Sequence, residues 1–169
     1  MTCTLLIREL IPADCPPIAE AFAAQGWNKP EAQYRRYLAE SQSGQRTVLV
    51  AEVDGQFAGY LTVVWVSGYL PFREAGIPEI VDFNVLKKFQ RRGIGSALMD
   101  EAEQRIAAVS SIAGIGVGLT ADYGAAQILY VRRGYVPDGR GAFSKEQALV
   151  YGEMVQVDDG LALYLTKTV

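Results

Sequence analysis

Several stretches of the chain alternate between hydrophobic and polar residues, or form short apolar runs, and these stretches predict β-strands. The first is TLLIREL, at residues 4–10, and the next two are β-rich runs on either side of Asp54-Gly55. An Asp-Gly pair between two such runs is typical of a two-residue hairpin turn. Three further strands are predicted at EIVDFNVL (79–86), GIGVGL (114–119) and GLALYLTKTV (160–169).

Apolar residues at helical spacing predict four helices. The first two begin near Pro12 and Pro30, since proline is favoured in a first helical turn. Their apolar stripes consist of Ile18, Ala21 and Phe22, and of Tyr34, Tyr37 and Leu38. The other two helices are GSALMDEAEQRIAAV (95–109) and GAAQILYVRRG (124–134), which ends at a glycine typical of a C-cap. Glycine and proline in residues 67–78 predict a loop.

The element order is roughly β-α-α-β-β-β-α-β-α-β-β, which predicts an α/β (α+β) fold with an antiparallel first half and a βαβ-like middle. The chain has 169 residues, half of them hydrophobic, which fits one compact domain spanning residues 1–169. There is no internal repeat or low-complexity tract.

Charge and hydropathy exclude some partners. The net charge is −3, so the sequence offers no general electrostatic support for binding nucleic acid. The longest apolar run, around YLTVVWV, is far shorter than a membrane span, and the N-terminus lacks the features of a signal peptide. We therefore expect a cytoplasmic protein with no membrane partner.

The sequence contains no histidine and only two cysteines, Cys3 and Cys15. These residues cannot build the common zinc sites, so no metal is expected, and neither a Ser-His nor a Cys-His nucleophile pair is available. Any general base must be a carboxylate, a lysine, a tyrosine or water. The two thiols fit a reducing compartment.

The stretch VDFNVLKKFQRRGIGSALMDEA (81–102) runs from a strand through a basic glycine turn into a helix. A helix N-terminus can hold phosphate, because its first N–H groups lack intrahelical partners and its dipole favours anions. A dinucleotide fingerprint would need a small residue where the chain has Leu98, and no Gly-Lys-Ser/Thr follows for a P-loop. Taken alone, the two glycines also fit a tight turn.

QRRGIG, at Gln90–Gly95, resembles the Q/R-x-x-G-x-G/A signature of the GNAT N-acetyltransferase superfamily, and AAQILYVRRGY resembles that family's second segment. The resemblance is close over residues 79–135 and extends elsewhere only to element order. It implies a mixed, mostly antiparallel sheet of about six or seven strands, about four flanking helices and a splayed central parallel strand pair. It also implies acetyl-CoA as co-substrate and N-acetyl transfer as the reaction.

The resemblance further implies which residues bind the coenzyme. Backbone amides of the loop would wrap the pyrophosphate, and the strand before it, which carries a bulge in this family, would border the pantetheine slot. These cofactor-binding candidates are Phe83, Asn84, Val85, Gln90, Arg91, Arg92, Gly93, Ile94, Gly95, Ser96 and Tyr123. At Tyr123 the family commonly has asparagine, and Asp122 is expected to cap the helix in compensation. The alternate glycines of GIGVGL leave room either for a ligand or for tight packing.

Transfer to an amine requires a base for the amine and an acid for the departing thiolate. Tyr130 matches the family tyrosine that is often placed to protonate the sulfur. Glu79 is the first candidate for the base, and Asp82, deeper in the same strand, is its rival. A carboxylate within a sheet is costly unless it is paired, so either residue could instead belong to an ion pair.

The acceptor is expected to be a small-molecule amine or a peptide amine. Aromatic and acidic residues of the N-terminal helices and of the loop at 67–78 would suit an ammonium group, although the same residues also fit a core. They are Trp27, Tyr34, Tyr37, Trp65, Tyr69 and Phe72, with Glu31, Glu74 and Glu79. The alternative function is a non-catalytic acyl-CoA-binding regulatory module, and a longer acyl donor is also open. Homodimerisation through the last strands is a family-level expectation.

Overall fold

The computed structural model describes residues 4–145 and 147–169. Its elements in chain order are β1 (Leu5–Glu9), α1 (Cys15–Ala24), α2 (Glu31–Gln42), β2 (Arg46–Val53), β3 (Gln56–Val64), α3 (Leu70–Ala75), β4 (Glu79–Val85), α4 (Ile94–Ala107), β5 (Ile112–Gly118), α5 (Gly124–Arg132), β6 (Val136–Ser144), β7 (Gln147–Ala148) and β8 (Leu161–Thr168). Strands β1-β2-β3-β4 are neighbours in that order, and so are β5-β8-β6-β7. The predicted mixed, mostly antiparallel α+β fold is thus confirmed.

The chain divides into two compact units, and the first contains residues 4–65 and Ile80–Arg105. In this unit β2 pairs antiparallel with both β1 and β3. The predicted hairpin is present: Asp54 and Gly55 both have positive φ, of 50° and 76°, as a type I′ turn requires. Phe22 of α1 and Tyr34 of α2 are fully buried against Tyr60 of β3, at ring-centroid distances of 5.7 and 5.4 Å. The predicted helical stripes therefore form this unit's core.

The second unit contains Val66–Glu79 and Ile106–Val169. Strand β8 lies between β5 and β6 and pairs antiparallel with both. The core includes an aromatic cluster in which Tyr69 stacks on Tyr164, with ring centroids 3.7 Å apart, while Phe72 and Phe143 meet these rings edge-on. The edge-on contacts of Phe72 and Phe143 are an arrangement that the ring quadrupole favours.

Two expectations about elements need correction. The segment predicted as a loop contains α3, because Pro71 fits a first helical turn, Phe72 buries its ring, and Gly76 ends the helix in the left-handed conformation. The predicted element order has two strands after the last helix, but only residues 160–169 were assigned to one. The polar, glycine-containing segment Val136–Ser144 forms β6, which no local pattern located. Pairing with β8 stabilises this strand despite its low β-propensity.

None of the helices in residues 4–145 and 147–169 combines the length and the apolar character that crossing a bilayer requires. Among the same residues, no group of three or more His, Cys, Asp or Glu side chains could hold a metal ion.

Candidate active site

The loop between β4 and α4 has the backbone shape of an anion-binding turn. After a 3₁₀ turn at Lys87–Phe89, Arg91 and Gly93 adopt positive φ values of 61° and 79°. Ala97 N donates to Gly93 O at 3.0 Å, so Gly93 caps the helix. The amides of Ile94 and Gly95 precede this first intrahelical bond, where helical N–H groups have no acceptor within the helix. These donors and the dipole together suit a phosphate.

Cationic side chains around the loop lie beside aromatic rings. Lys87 Nζ is 5.6 Å from the centre of the Trp27 ring, and Lys88 Nζ is 4.9 Å from that of Phe89. The Arg92 guanidinium also lies over Phe89, at 5.6 Å. All three cations and Arg91 are exposed, so they provide positive charge at the surface of the loop.

The end of β4 packs closely on the elements around it. A Cβ atom added to Gly59 of β3 would lie 2.6 Å from Asn84 O and 3.0 Å from Val85 Cα. A Cβ atom on Gly95 would meet the Phe83 ring at 3.0 Å. Gln90 Nε2 donates to Val85 O at 3.1 Å and so ties the start of the loop back to the strand.

Asp82 lies in β4 with a left-handed φ of 51°, which interrupts regular strand geometry where a bulge was expected. Its Oδ1 atom accepts hydrogen bonds from Lys29 Nζ and Asn84 Nδ2, both at 2.8 Å. Its Oδ2 atom accepts from three donors: Gln33 Nε2 at 2.8 Å, Tyr37 OH at 2.9 Å and Tyr60 OH at 2.5 Å.

These donors determine the charge state of Asp82. Burial acts to raise the pKa of its carboxyl, but the positive charge and hydrogen bond of Lys29, together with the bonds from Tyr60 and Tyr37, outweigh burial and lower that pKa. Five donors engage both carboxylate oxygens, so few lone-pair positions are left to accept a proton from a substrate. The geometry favours Asp82 as an anchor for cationic and hydroxyl groups.

Glu79, in the second unit, has a different set of neighbours. Its side chain is buried, and Ser67 Oγ donates to Oε2 at 2.5 Å. Ser67 in turn accepts from Tyr69 N at 2.9 Å, so the start of the segment before α3 orients the serine hydroxyl. Glu79 and Asp82, the two candidates for the base, therefore belong to different units.

Tyr130 is buried on α5, with its ring 6.1 Å from that of Tyr135. Burial raises the pKa of its phenol above the ordinary value, and Tyr123 adds to this shift. A phenol with a raised pKa stays protonated at neutral pH, so Tyr130 can serve as a hydrogen-bond donor.

Tyr123 packs its ring over Gly118 of β5, where an added Cβ would lie 2.5 Å from the ring, and donates to Asp159 Oδ1 at 2.9 Å. Asp122 accepts a hydrogen bond from Thr120 Oγ1, and α5 begins without a side-chain cap, so the expected capping by Asp122 is wrong. The glycines of β5 serve tight packing, because Phe72, Tyr164 and Tyr123 respectively cover Gly114, Gly116 and Gly118.

The aromatic residues predicted for the acceptor are distributed over both units. Tyr37 contacts Asp82, whereas Tyr69 and Phe72 are core residues of the second unit. Sequence patterns missed Lys29, Gln33, Tyr60 and Ser67, which bind the two candidate carboxylates. The one available signal was period-two alternation in β3, which places Tyr60 and Thr62 on the same face.

Cys15 of α1 is buried, and desolvation raises the pKa of its thiol, so it lacks the character of a reactive nucleophile. Cys3 lies outside the described residues.

Residues 44–137 match the family model of the acetyltransferase (GNAT) domain. A search of curated proteins found no match. Among solved structures, the chain is similar to the ribosomal-protein-alanine N-acetyltransferase of Brucella melitensis, with 20% identity, a TM-score of 0.70 and coverage of 97% of this chain and 99% of that one. It is also similar to the PaiA N-acetyltransferase of Thermoplasma acidophilum in complex with coenzyme A, with 14% identity, a TM-score of 0.67 and coverage of 98% and 99%.

A third similar structure is an acetyltransferase of Salmonella typhimurium that modifies the N-terminal serine of ribosomal protein L7/L12. It has 14% identity, a TM-score of 0.71 and coverage of 98% of this chain and 95% of that one. These three structures agree with this chain in fold over nearly its whole length.

Proposed function

The chain belongs to the GNAT acetyltransferases, and from this premise we propose that it transfers an acetyl group from acetyl-CoA directly to a primary amine. The observation that carries the proposal is the loop between β4 and α4. There, Gly93 caps the helix at a φ of 79°, and the first-turn amides of Ile94 and Gly95 follow it, within the matched family domain.

In this proposal the loop from Gln90 to Ser96 binds the coenzyme pyrophosphate through backbone amides. Arg91 and Arg92 add positive charge, which suits the phosphates. The main chain of Phe83, Asn84 and Val85 borders the pantetheine arm, and Tyr123 takes the place of the asparagine that is common in the family.

The reaction forms a bond between the amine nitrogen and the acetyl carbon and breaks the bond between that carbon and sulfur. The amine must lose a proton before or during attack, and the thiolate must gain one as it leaves. We assign the first role to Glu79 and the second to Tyr130. The raised pKa keeps the Tyr130 phenol protonated, so it can donate a hydrogen bond to the negative charge developing on the sulfur, although the same shift makes the phenol a weaker acid.

Direct transfer is supported by the character of the one described cysteine. A covalent acyl-enzyme would need an activated nucleophile, but the Cys15 thiol is buried with a raised pKa, and the sequence contains no histidine to activate it. The acceptor is the primary amine of a peptide or of a small molecule. Peptide amines are supported by the Salmonella neighbour, which modifies an N-terminal serine.

Two measurements on purified protein test this function. Calorimetry should detect binding of acetyl-CoA, and Tyr130→Phe should leave that affinity unchanged while it lowers kcat roughly 100-fold. Tyr135→Phe is the matched control. It also removes the hydroxyl group of a buried tyrosine in the second unit, and it should retain kcat. Binding without transfer to any amine would favour the regulatory module. If acetyl-CoA does not bind, the loop between β4 and α4 is only a tight turn and not a coenzyme site.

A further inference from the structure

Lys29 occupies a pocket whose chemistry is that of an ammonium receptor. Its Nζ atom donates to Asp82 Oδ1 at 2.8 Å and to Tyr60 OH at 3.1 Å. The same atom lies 5.7 Å from the ring centre of Phe22 and 5.7 Å from that of Tyr60. A carboxylate, a phenol oxygen and two aromatic rings are the groups that bind a primary ammonium ion. We call Phe22, Tyr60 and Asp82, which surround the Lys29 ammonium, the ammonium cage.

The other partners of Asp82 hold the cage in shape without Lys29. Gln33, Tyr37 and Tyr60 all donate to Oδ2, whereas Oδ1, which faces Lys29, has Asn84 as its other donor. Phe22 and Tyr60 are fully buried, so the rings are fixed by core packing. Removing the Lys29 ammonium would therefore leave a preformed anionic site with an unsatisfied oxygen position.

Lys29 can leave this site more easily than the other components. It lies between α1 and α2, outside both helices, and 19% of its side chain is exposed. The residue also lines an open depression of about 330 Å³ formed by the end of α1 and the Trp27–Pro30 segment. Solvent therefore reaches the lysine, and 21% of the Asp82 side chain is itself exposed, so the carboxylate is accessible to an incoming cation.

From this geometry we propose that the ammonium cage is a binding site for a primary ammonium group, which Lys29 fills in the free protein and which a ligand occupies by displacing Lys29. We identify this ligand as the acceptor itself, an identification that rests on the proposed transfer reaction. An ammonium paired with Asp82 keeps its proton and has no lone pair with which to attack. The cage therefore anchors one amine of a diamine or polyamine while a second amine is acetylated.

The first test concerns binding alone and requires no catalysis. Lys29→Ala removes four heavy atoms that propylammonium, with three carbons and one nitrogen, replaces. The variant should lose roughly 5–10 °C in Tm, as expected for an uncompensated charge that is mostly buried. Propylammonium at about 100 mM should restore roughly 3–6 °C if its Kd is near 10 mM.

Lys29→Met is the matched control, because its apolar side chain fills the space without a charge, and propylammonium should not change its Tm. Tetramethylammonium, which has no N–H donor, should stabilise neither variant. Equal shifts in both variants, or no shift in either, would overturn the proposal. If Lys29→Ala does not fold alone, its refolding yield replaces Tm as the measurement. The proposal predicts a higher yield in propylammonium than in tetramethylammonium, and equal yields would overturn it.

The second test concerns the acceptor. 1,4-Diaminobutane should have a kcat/KM at least about tenfold above that of butylamine, and Asp82→Asn should abolish this difference. Lys29→Ala should lower the KM of the diamine about tenfold and leave the KM of acetyl-CoA unchanged, since an internal competitor has been removed. Equal use of both amines would overturn the anchoring role. If no amine is acetylated, the proposed function fails, while the thermal measurements still decide whether the cage binds ammonium.

Discussion

Asp82 joins its own strand β4 to α2, to β3 and to the segment between α1 and α2, because its carboxylate accepts hydrogen bonds from Lys29, Gln33, Tyr37, Tyr60 and Asn84. Its left-handed φ of 51° is a conformation that costs a non-glycine residue about 1–2 kcal/mol. The network offsets this cost. The residue therefore supports both the fold of the unit and the ammonium cage.

Asp82→Asn should lower the free energy of unfolding at neutral pH by about 2–4 kcal/mol, because it leaves Lys29 without its ion-pair partner. The folded-state pKa of Asp82 is lowered, so its contribution is complete above the ordinary carboxyl pKa and is lost as pH falls through the folded-state value. Urea unfolding of both proteins from pH 7 to pH 2 should thus show the difference shrinking on acidification. A difference that stays constant with pH would contradict this.

Glu79 is the proposed base, and the single substitution Glu79→Gln tests that role. The amide keeps the size of the side chain but cannot take a proton, so kcat/KM should fall between about 10² and 10⁴-fold, while the Kd of acetyl-CoA stays the same. Single-turnover rates and calorimetry would measure the two quantities. A loss confined to acetyl-CoA affinity would assign Glu79 to coenzyme binding.

At the scale of elements, β3 and β4 approach closely because Gly59 has no side chain. Gly59→Ala would place a Cβ atom 2.6 Å from Asn84 O and 3.0 Å from Val85 Cα, both backbone atoms that cannot move independently of the strand. The free energy of unfolding should fall by about 1–3 kcal/mol. Gly124→Ala is the control, since no atom outside its own helix and chain neighbours lies within 4 Å of its added Cβ, and it should be neutral or slightly stabilising in urea unfolding.

Elements with strong local patterns were predictable from the sequence. The Asp54-Gly55 hairpin is an example, because both turn residues adopt the positive φ that Asp-Gly favours. Helix α5 is another, with Gly134 just beyond its end at a φ of 91°. Strand β6 was not predictable, because pairing with β8, across a long sequence separation, stabilises its polar, glycine-containing segment.

For the whole molecule, the sequence identified the parts of the site that lie within one continuous stretch. The loop from Gln90 to Ser96 and the flanking β4 and α4 were predicted together, because strand, glycines and helix are adjacent in the chain. The ammonium cage was not predicted, since Lys29 and Asp82 are separated by 53 residues and no local pattern connects them. A contact of this kind depends on tertiary packing.

Homodimerisation, cytoplasmic location and the single-domain organisation over residues 1–169 remain predictions from the sequence. Sedimentation of the purified protein at several concentrations would test the first of these. A mass that rises from monomer to dimer with concentration would agree with association through the last strands. A constant monomer mass would contradict it.

The central claim is direct transfer of acetyl from acetyl-CoA to a primary amine, and the most direct measurement is the initial rate of free thiol release with both substrates varied. The account predicts thiol release that depends on the amine, an acetylated amine in equal amount by mass spectrometry, and double-reciprocal lines that intersect, as a ternary complex requires. Parallel lines would indicate an acyl-enzyme, and release that does not depend on any amine would contradict the proposed transfer.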